Sequence, residues 1–171
     1  GDELGSPAIV MEMIDGVCED GAGGVFIAWV SAQPTQQQVF VQHVLASGSL
    51  APGWPAEGLR VSAVVSESPG TAVAHDGLGG VLVGWAEYYF DGTSHARALV
   101  HRLDANGAPT PGWPVAGYSI PNTYEVGLLV DDAQRIFVSA SEYPFTVGGS
   151  YGLRLRRVGP DATPDPGWPE Q

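Results

Sequence analysis

The 171-residue chain has a single cysteine, Cys18, and seven basic residues, none of which is lysine. One cysteine excludes an intrachain disulfide and the paired cysteine and histidine spacings of zinc sites, so we expect Cys18 to be a small core residue. Nineteen acidic residues bring the formal net charge to −12. Because such a surface repels phosphate groups, we expect no nucleic-acid partner.

Long hydrophobic runs are also missing. No stretch approaches the ~20 apolar residues that a membrane span needs, so we expect no membrane insertion. Residues 1–7 lack the basic and hydrophobic regions of a signal peptide, and we expect an extracellular or cell-surface protein whose export signal has been removed. The 24 glycines and 14 prolines suit short strands joined by turns, which predicts an all-β fold.

Three segments of the chain repeat one pattern. A glycine-rich turn leads into an apolar strand, a second strand alternates in polarity, and a Gly-Trp-Pro corner follows. The turn and first strand occupy residues 20–29, 76–85 and 131–138, and the alternating strand occupies residues 39–45, 98–103 and 152–158. The corners contain Trp54, Trp113 and Trp168, which are 59 and 55 residues apart. We expect each tryptophan to anchor one repeat to the next, because it can bury about 150–250 Å².

Repeats of this length predict four-stranded antiparallel blades within a single domain, residues 1–171. The predicted blades cover about residues 11–65, 66–121 and 122–171. A strand at residues 5–10 is predicted before the first blade, and the last blade is predicted to lack its fourth strand. The strands of the second blade are predicted at residues 70–75, 81–89, 96–103 and 117–120.

The pattern D-G-x-G-G-x-x-x-x-W, followed by an alternating strand and G-W-P, resembles the blade repeats of secreted bacterial β-propellers. The resemblance covers nearly the whole chain and implies a propeller-like architecture. It implies no activity, because propellers host lectins, hydrolases, scaffolds and adhesins alike. The pattern differs from the S/T-x-D-x-G-x-x-W box of sialidases and therefore does not favour a glycosidase.

The two ends of the chain are predicted to complement each other between copies. A closed propeller usually has four to eight blades, and three are present here. The strand missing from the third blade would come from the N-terminus of another copy, building a closed ring or a head-to-tail fibre. The predicted assembly residues are Pro7, Ala8, Ile9, Val10, Arg154, Arg156 and Arg157. The alternatives are that these arginines are ordinary surface charges and that the chain is a piece of a longer propeller.

No sequence motif of an enzyme active site is present. The chain has no G-x-S-x-G, H-E-x-x-H or P-loop pattern, so we predict a protein without enzymatic activity and without a cofactor. The four histidines form no i, i+2 pair of the kind that binds metal on a strand. Two of them, His43 and His101, lie on the alternating strand one repeat position apart, and we expect both at the strand surface.

Acidic residues concentrate in the predicted turns. Asp20, Asp76 and Asp131 recur at one position of the repeat, where an aspartate stabilises the turn by accepting hydrogen bonds from the backbone. An alternative for these acid-rich turns is calcium, held through oxygen ligands. The calcium candidates are Asp15, Asp20, Asp131 and Asp132.

Aromatic residues gather where the second strand of a repeat ends. Beside polar loop residues they would suit a sugar, whose apolar face stacks on a ring while its hydroxyl groups form hydrogen bonds. The candidates are Trp85, Tyr88, Tyr89, Phe90, Tyr143 and Phe145, although half of them alternate toward the blade core. The favoured interpretation is a non-catalytic extracellular structural protein that assembles with copies of itself. Carbohydrate binding is the alternative, and a glycan-active enzyme comes third.

Overall fold

The computed structural model describes residues 11–33, 36–62, 70–90, 93–142 and 151–168, which form three antiparallel sheets. We call each sheet a blade. Blade 1 contains β1 (Met11–Glu19), β2 (Val25–Gln33), β3 (Gln36–Val44) and β4 (Leu59–Arg60). Blade 2 contains β5 (Thr71–His75), β6 (Val81–Phe90), β7 (Ser94–Leu103) and β8 (Tyr118–Pro121). Blade 3 contains β9 (Thr123–Val130), β10 (Ile136–Glu142) and β11 (Leu153–Val158). The all-β prediction is confirmed, and the described part of the chain contains no helix with the length and hydropathy of a membrane span.

The turn between the first two strands of each blade is built by one aspartate. Asp20 Oδ1 accepts hydrogen bonds from the backbone N–H groups of Ala22 (2.7 Å) and Gly24 (2.8 Å). Asp76 and Asp131 form the same two bonds in blades 2 and 3. A side-chain oxygen that replaces a backbone acceptor stabilises a tight turn. The recurrence of aspartate is therefore explained by turn geometry, as predicted.

In blades 1 and 2 a close approach of the backbone requires glycine at the end of this turn, whereas blade 3 has Arg135 there. A Cβ atom at position 24 would lie 2.4 Å from the carbonyl oxygen of Val44, and one at position 80 would lie 2.2 Å from that of Leu103. Both distances are far below van der Waals contact, so a side chain there would push the second and third strands apart.

The blades pack face to face, and the core lies between them. The first cluster of buried residues joins blade 1 to blade 2 and includes Phe26, Val41, Trp54, Val83 and Trp85. The second cluster joins blade 2 to blade 3 and includes Leu82, Val100, Trp113, Val138 and Val158. Because side chains alternate along a strand, blade 2 presents one face to blade 1 and the other face to blade 3.

The Gly-Trp-Pro corners connect neighbouring blades. Trp54 of blade 1 donates from Nε1 to the carbonyl oxygen of Ala105 in blade 2, at 2.9 Å. Its ring also lies against Gly107, where a Cβ atom would be 3.4 Å from the indole. Trp113 is buried in the second cluster. The prediction that these two tryptophans anchor one repeat to the next is confirmed.

Candidate functional site

A set of three residues recurs on the face that each blade turns toward the following blade. One lies on the second strand, one faces it on the third strand, and one is the corner tryptophan. We call these sets the docking trios. They are Phe26, His43 and Trp54 in blade 1; Leu82, Arg102 and Trp113 in blade 2; and Phe137, Arg157 and Trp168 in blade 3.

The trio of blade 1 is buried against blade 2. The rings of Phe26 and His43 stack with their centroids 4.1 Å apart, and Trp54 lies 5.9 Å from Phe26. Asp20 Oδ2 lies 2.9 Å from His43 Nε2. This hydrogen bond, with the backbone N–H of Ala22 in support, holds the pKa of Asp20 at about 2, well below its ordinary value. The pair links the first turn of the blade to its third strand.

The trio of blade 2 replaces the histidine with an arginine and remains covered. Arg102 is only 3% exposed, and its Nη2 atom lies 3.0 Å from Asp76 Oδ2. The guanidinium also reaches into blade 3, where Nη1 donates to the carbonyl oxygen of Pro160 at 3.0 Å. Pro160 and Ala105 occupy the same place, one residue before the middle of the turn that follows the third strand. The same turn carbonyl therefore accepts a hydrogen bond from the preceding blade at both internal contacts.

The trio of blade 3 occupies the equivalent positions of its sheet, with no blade over it in the described part of the chain. Trp168 stands edge-on to Phe137 with their centroids 5.5 Å apart, and the Arg157 guanidinium lies 4.8 Å from the indole centroid. Arg157 Nε donates to Asp165 Oδ2 at 2.8 Å. All three side chains of the trio are half-buried, whereas Phe26 and Leu82 are fully buried.

Further apolar residues extend this surface of blade 3. Leu129 pairs with Phe137, so it lies on the face of the trio, and it is 60% exposed. Leu153 is 70% exposed, although the equivalent residue of blade 2, Ala98, is fully buried. We call the surface made by Leu129, Phe137, Leu153, Arg157 and Trp168 the blade-3 open face. It is the exposed counterpart of the face with which blade 2 covers blade 3.

The opposite side of the molecule has a second exposed sheet face. On blade 1, Val17 pairs with Ile27 and Ile14 pairs with Trp29, and these four residues form what we call the blade-1 open face. Ile14 is 69% exposed and Val17 is 58% exposed. Trp29 is buried, and its Nε1 atom has no hydrogen-bond partner among the described residues. The equivalent Trp85 donates from Nε1 to Glu87 Oε1 at 3.1 Å.

The arginines predicted for assembly differ in their surroundings. Arg154 forms an ion pair with Glu142 of the neighbouring strand, and Arg157 belongs to the blade-3 open face. Arg156 Nη1 lies near the carbonyl oxygen of Leu155, at 3.5 Å. The other predicted assembly residues, Pro7, Ala8, Ile9 and Val10, lie outside the described residues.

The predicted position of His43 at a strand surface is wrong. His43 is 7% exposed because it is the middle member of the blade 1 trio. His101 is half-buried and stacks on Trp85 with centroids 5.1 Å apart, and its burial lowers its pKa. The two histidines point to opposite faces of their blades, because they occupy neighbouring rather than identical positions on the repeat.

The calcium candidates do not come together. Asp20 is bonded to His43 and its own turn, and Asp131 accepts a hydrogen bond from Arg135 Nε at 2.6 Å. Asp15 and Asp132 are exposed on blades 1 and 3. Within the ranges that the structure describes, no group of three or more His, Cys, Asp or Glu side chains is close enough to hold a metal ion.

Trp85, one of the predicted carbohydrate-stacking residues, is a core residue. It is 1% exposed in the cluster between blades 1 and 2, so the prediction that it contacts a ligand is wrong. Tyr88 is half-buried, and Phe90 is 75% exposed at the end of β6. Tyr143, Phe145 and the side chain of Tyr89 fall outside the described part of the structure.

A cleft of about 460 Å³ lies where the first strands of the three blades end. Its lining includes Cys18, His75, Leu129 and Asp132. Cys18 is half-buried and packs against the first core cluster, and burial raises the pKa of its thiol to about 11. Because the thiolate is the nucleophilic form, this shift lowers the fraction of Cys18 that is nucleophilic at neutral pH.

The comparisons with known proteins concern the fold. No protein-family model matches the chain, and no curated protein matches its sequence at a significant level. Among solved structures, the chain is similar to a xylan β-1,4-xylosidase from Bacillus halodurans C-125, with a TM-score of 0.50 and 10% sequence identity. The match covers 92% of this chain and 31% of that chain. This chain thus spans about a third of the length of a protein with a β-propeller-like fold.

Proposed function

We propose that the protein is a non-catalytic, extracellular structural subunit whose copies associate head to tail into a closed ring or a fibre. The observation that carries the proposal is the docking trio of blade 3. Phe137, Arg157 and Trp168 repeat the arrangement that holds the blades together, yet they remain half-buried. A tryptophan, a phenylalanine and an arginine grouped in this way are typical of the residues that dominate binding at protein interfaces.

The two open faces supply complementary surfaces for this association. The blade-3 open face has the character of a surface that covers the next blade, and the blade-1 open face has the character of a surface that receives one. Contacts between two different surfaces produce rings when the rotation closes and fibres when it does not. Six blades from two copies would fall within the usual size of a propeller.

Exchange of the strand predicted at residues 5–10 is the second part of the proposal. Blade 3 has three strands in the described residues, with β11 at the edge of the sheet beside β10. An edge strand presents unpaired N–H and carbonyl groups that a strand of another chain can pair with. The N-terminal segment of a second copy would provide that strand.

The proposal is tested by measuring mass with light scattering during gel filtration, over a range of protein concentrations. We expect either a species of two copies, as a closed ring requires, or a series of larger multiples. A protein that stays monomeric up to high micromolar concentrations would contradict self-association. Removing residues 1–10 tests strand exchange separately. Without the exchanged strand, the average mass measured by light scattering at a given concentration should be lower.

Carbohydrate binding is the second candidate function, and Phe90 favours it. The side chain is 75% exposed at the end of the hairpin formed by β6 and β7, opposite Ser94. The solved structure to which the chain is similar belongs to an enzyme named for its action on xylan. Binding of xylan fragments, measured by calorimetry and compared between the natural chain and Phe90→Ala, tests this candidate. Val115→Ala is the control, since Val115 is also highly exposed, at 90%, but lies elsewhere.

A further inference from the structure

We infer that the blade-3 open face of one copy docks on the blade-1 open face of a second copy, in the register that joins successive blades inside the chain. The inference rests on the proposed self-association and names the surfaces that form the contact. The occupant of each open face is therefore a second copy of this chain. Contacts of this kind already occur twice within the molecule.

At both internal contacts, a side chain of the preceding blade donates a hydrogen bond to the turn that follows the third strand. Trp54 donates to the carbonyl oxygen of Ala105, and Arg102 donates to that of Pro160. The equivalent residue of blade 1 is Ala46, which is exposed. Arg157 and Trp168 of the blade-3 open face are the equivalents of these donors, so the carbonyl oxygen of Ala46 in a second copy is their matching acceptor.

The apolar residues of the blade-1 open face match residues that blade 1 itself covers on blade 2. Val17 and Ile27 are equivalent to Val73 and Val83, which pack in the first core cluster. Val83 is fully buried whereas its equivalent Ile27 is half-buried, and Val73 is half-buried whereas its equivalent Val17 is 58% exposed. Docking of a second copy would bury the apolar residues of the blade-1 open face, just as blade 1 buries those of blade 2. Burial of apolar surface is the main source of favourable free energy in association.

The indole of Trp29 lies at the blade-1 open face and is buried. Its Nε1 atom is enclosed without a hydrogen-bond partner among the described residues, although a buried N–H group is normally paired. In blade 2, Glu87 supplies the acceptor for Trp85, and blade 1 has Ser31 at that position. The two equivalent tryptophans therefore differ in whether the indole N–H group has an acceptor among the described residues.

One internal distance allows the register to be tested by covalent chemistry. A Cβ atom on Gly112 of blade 2 would lie 3.9 Å from the Cβ atom of Asp161 in blade 3. This separation is within the roughly 3.5–4.5 Å that a disulfide requires. The equivalent residues are Gly167 of blade 3 and Ser47 of blade 1. Both are exposed, and they lie in the third and the first blade of the chain. In the inferred register, Gly167 of one copy faces Ser47 of the next.

The test is oxidation of the full chain carrying Gly167→Cys and Ser47→Cys. Cys18→Ala removes the natural thiol, and alanine is the residue that blade 2 has at the equivalent position, Ala74. We expect disulfide-linked multimers on a non-reducing gel that return to single chains in reductant. The control pairs Ser47→Cys with Ala133→Cys, an exposed residue of a different turn, and should give less than about a tenth of the linked product.

The outcomes separate this inference from the proposed function. If light scattering shows assembly while the matched pair links no better than the control pair, copies associate through other surfaces and the inference is wrong. If the protein is monomeric at every concentration, both the inference and the proposed self-association fail. Linked multimers from the matched pair, with assembly of the same size before oxidation, support both.

A second variant measures the energetic importance of the same contact. We expect Trp168→Ala to weaken self-association at least tenfold, because a tryptophan at the centre of an interface is often a dominant contact. Val115→Ala removes a side chain that is 90% exposed outside both open faces and should leave association unchanged. Equal association of the two variants would overturn the inference, provided that circular dichroism shows both to be folded.

Discussion

Blades 2 and 3 present equivalent docking trios in two different environments. In blade 2 the trio is covered, and Arg102 is neutralised by Asp76 while it bonds to the next blade. In blade 3 the trio is half-buried, and Arg157 pairs instead with Asp165 on its own corner. The difference shows that a trio can be assembled before any blade covers it. The contact between blades therefore adds burial to an arrangement that each blade already forms.

Among the matched substitutions, those of the corner tryptophans should differ most in their effect on the free energy of unfolding. We expect Trp54→Ala to lower the free energy of unfolding by about 3–5 kcal/mol, because it empties a buried position between blades 1 and 2. Trp168→Ala should cost less than about 1.5 kcal/mol in the single copy, since its indole is already partly in water. Urea unfolding at low protein concentration measures both. Equal losses would mean that the two trios do not differ in burial in solution.

Substitutions of the arginines in the trios of blades 2 and 3 should show a smaller difference in lost stability. Arg102→Met leaves the buried carboxylate of Asp76 without its cation, and we expect a loss of about 3 kcal/mol, since Asp76 keeps its bonds to the turn backbone. Arg157→Met should cost no more than about 1 kcal/mol, because the Asp165 side chain is 32% exposed. Thermal unfolding of the two variants checks the order. A larger loss for Arg157→Met would contradict the comparison.

The smallest effect concerns acid stability and the pair between Asp20 and His43. The folded pKa of Asp20 is about 2, below its ordinary value of 3.8. A depressed carboxyl pKa stabilises the fold above the ordinary value, and this contribution is lost as the pH falls from about 4 to about 2. Unfolding measured across this range should change less steeply for Asp20→Asn than for the natural chain. Parallel curves would show that Asp20 does not contribute.

The strands and corners could be predicted from the sequence because their signals are local. The Gly-Trp-Pro corners and the Asp-Gly turns repeat at constant offsets, and the strand predicted at residues 70–75 corresponds to β5, Thr71–His75. Local sequence does not show which face of the sheet a tryptophan lies on. The aromatic neighbours of Trp85 in sequence favour contact with a ligand, but its pairing with Thr71 and Leu99 across the sheet directs it into the core.

The docking trios were harder to predict because their members are distant in sequence and differ in type. His43, Arg102 and Arg157 occupy one position of the repeat with different chemistry. The offset between them is 59 residues and then 55, and a one-residue error in alignment moves a side chain to the opposite face. The partner of each covered trio is a backbone carbonyl in a turn of the next blade, which any residue type can supply, so the sequence gives no sign of it.

The contacts between blades also have a direction. The trio of blade 1 donates to blade 2 and the trio of blade 2 donates to blade 3, through the bonds from Trp54 to Ala105 and from Arg102 to Pro160. An array built by repeating this contact would be polar, with one end exposing a blade-3 open face and the other end exposing a blade-1 open face. A copy defective only in Trp168 could then join through its blade-1 open face and block further addition at that end, while the other end stays able to grow.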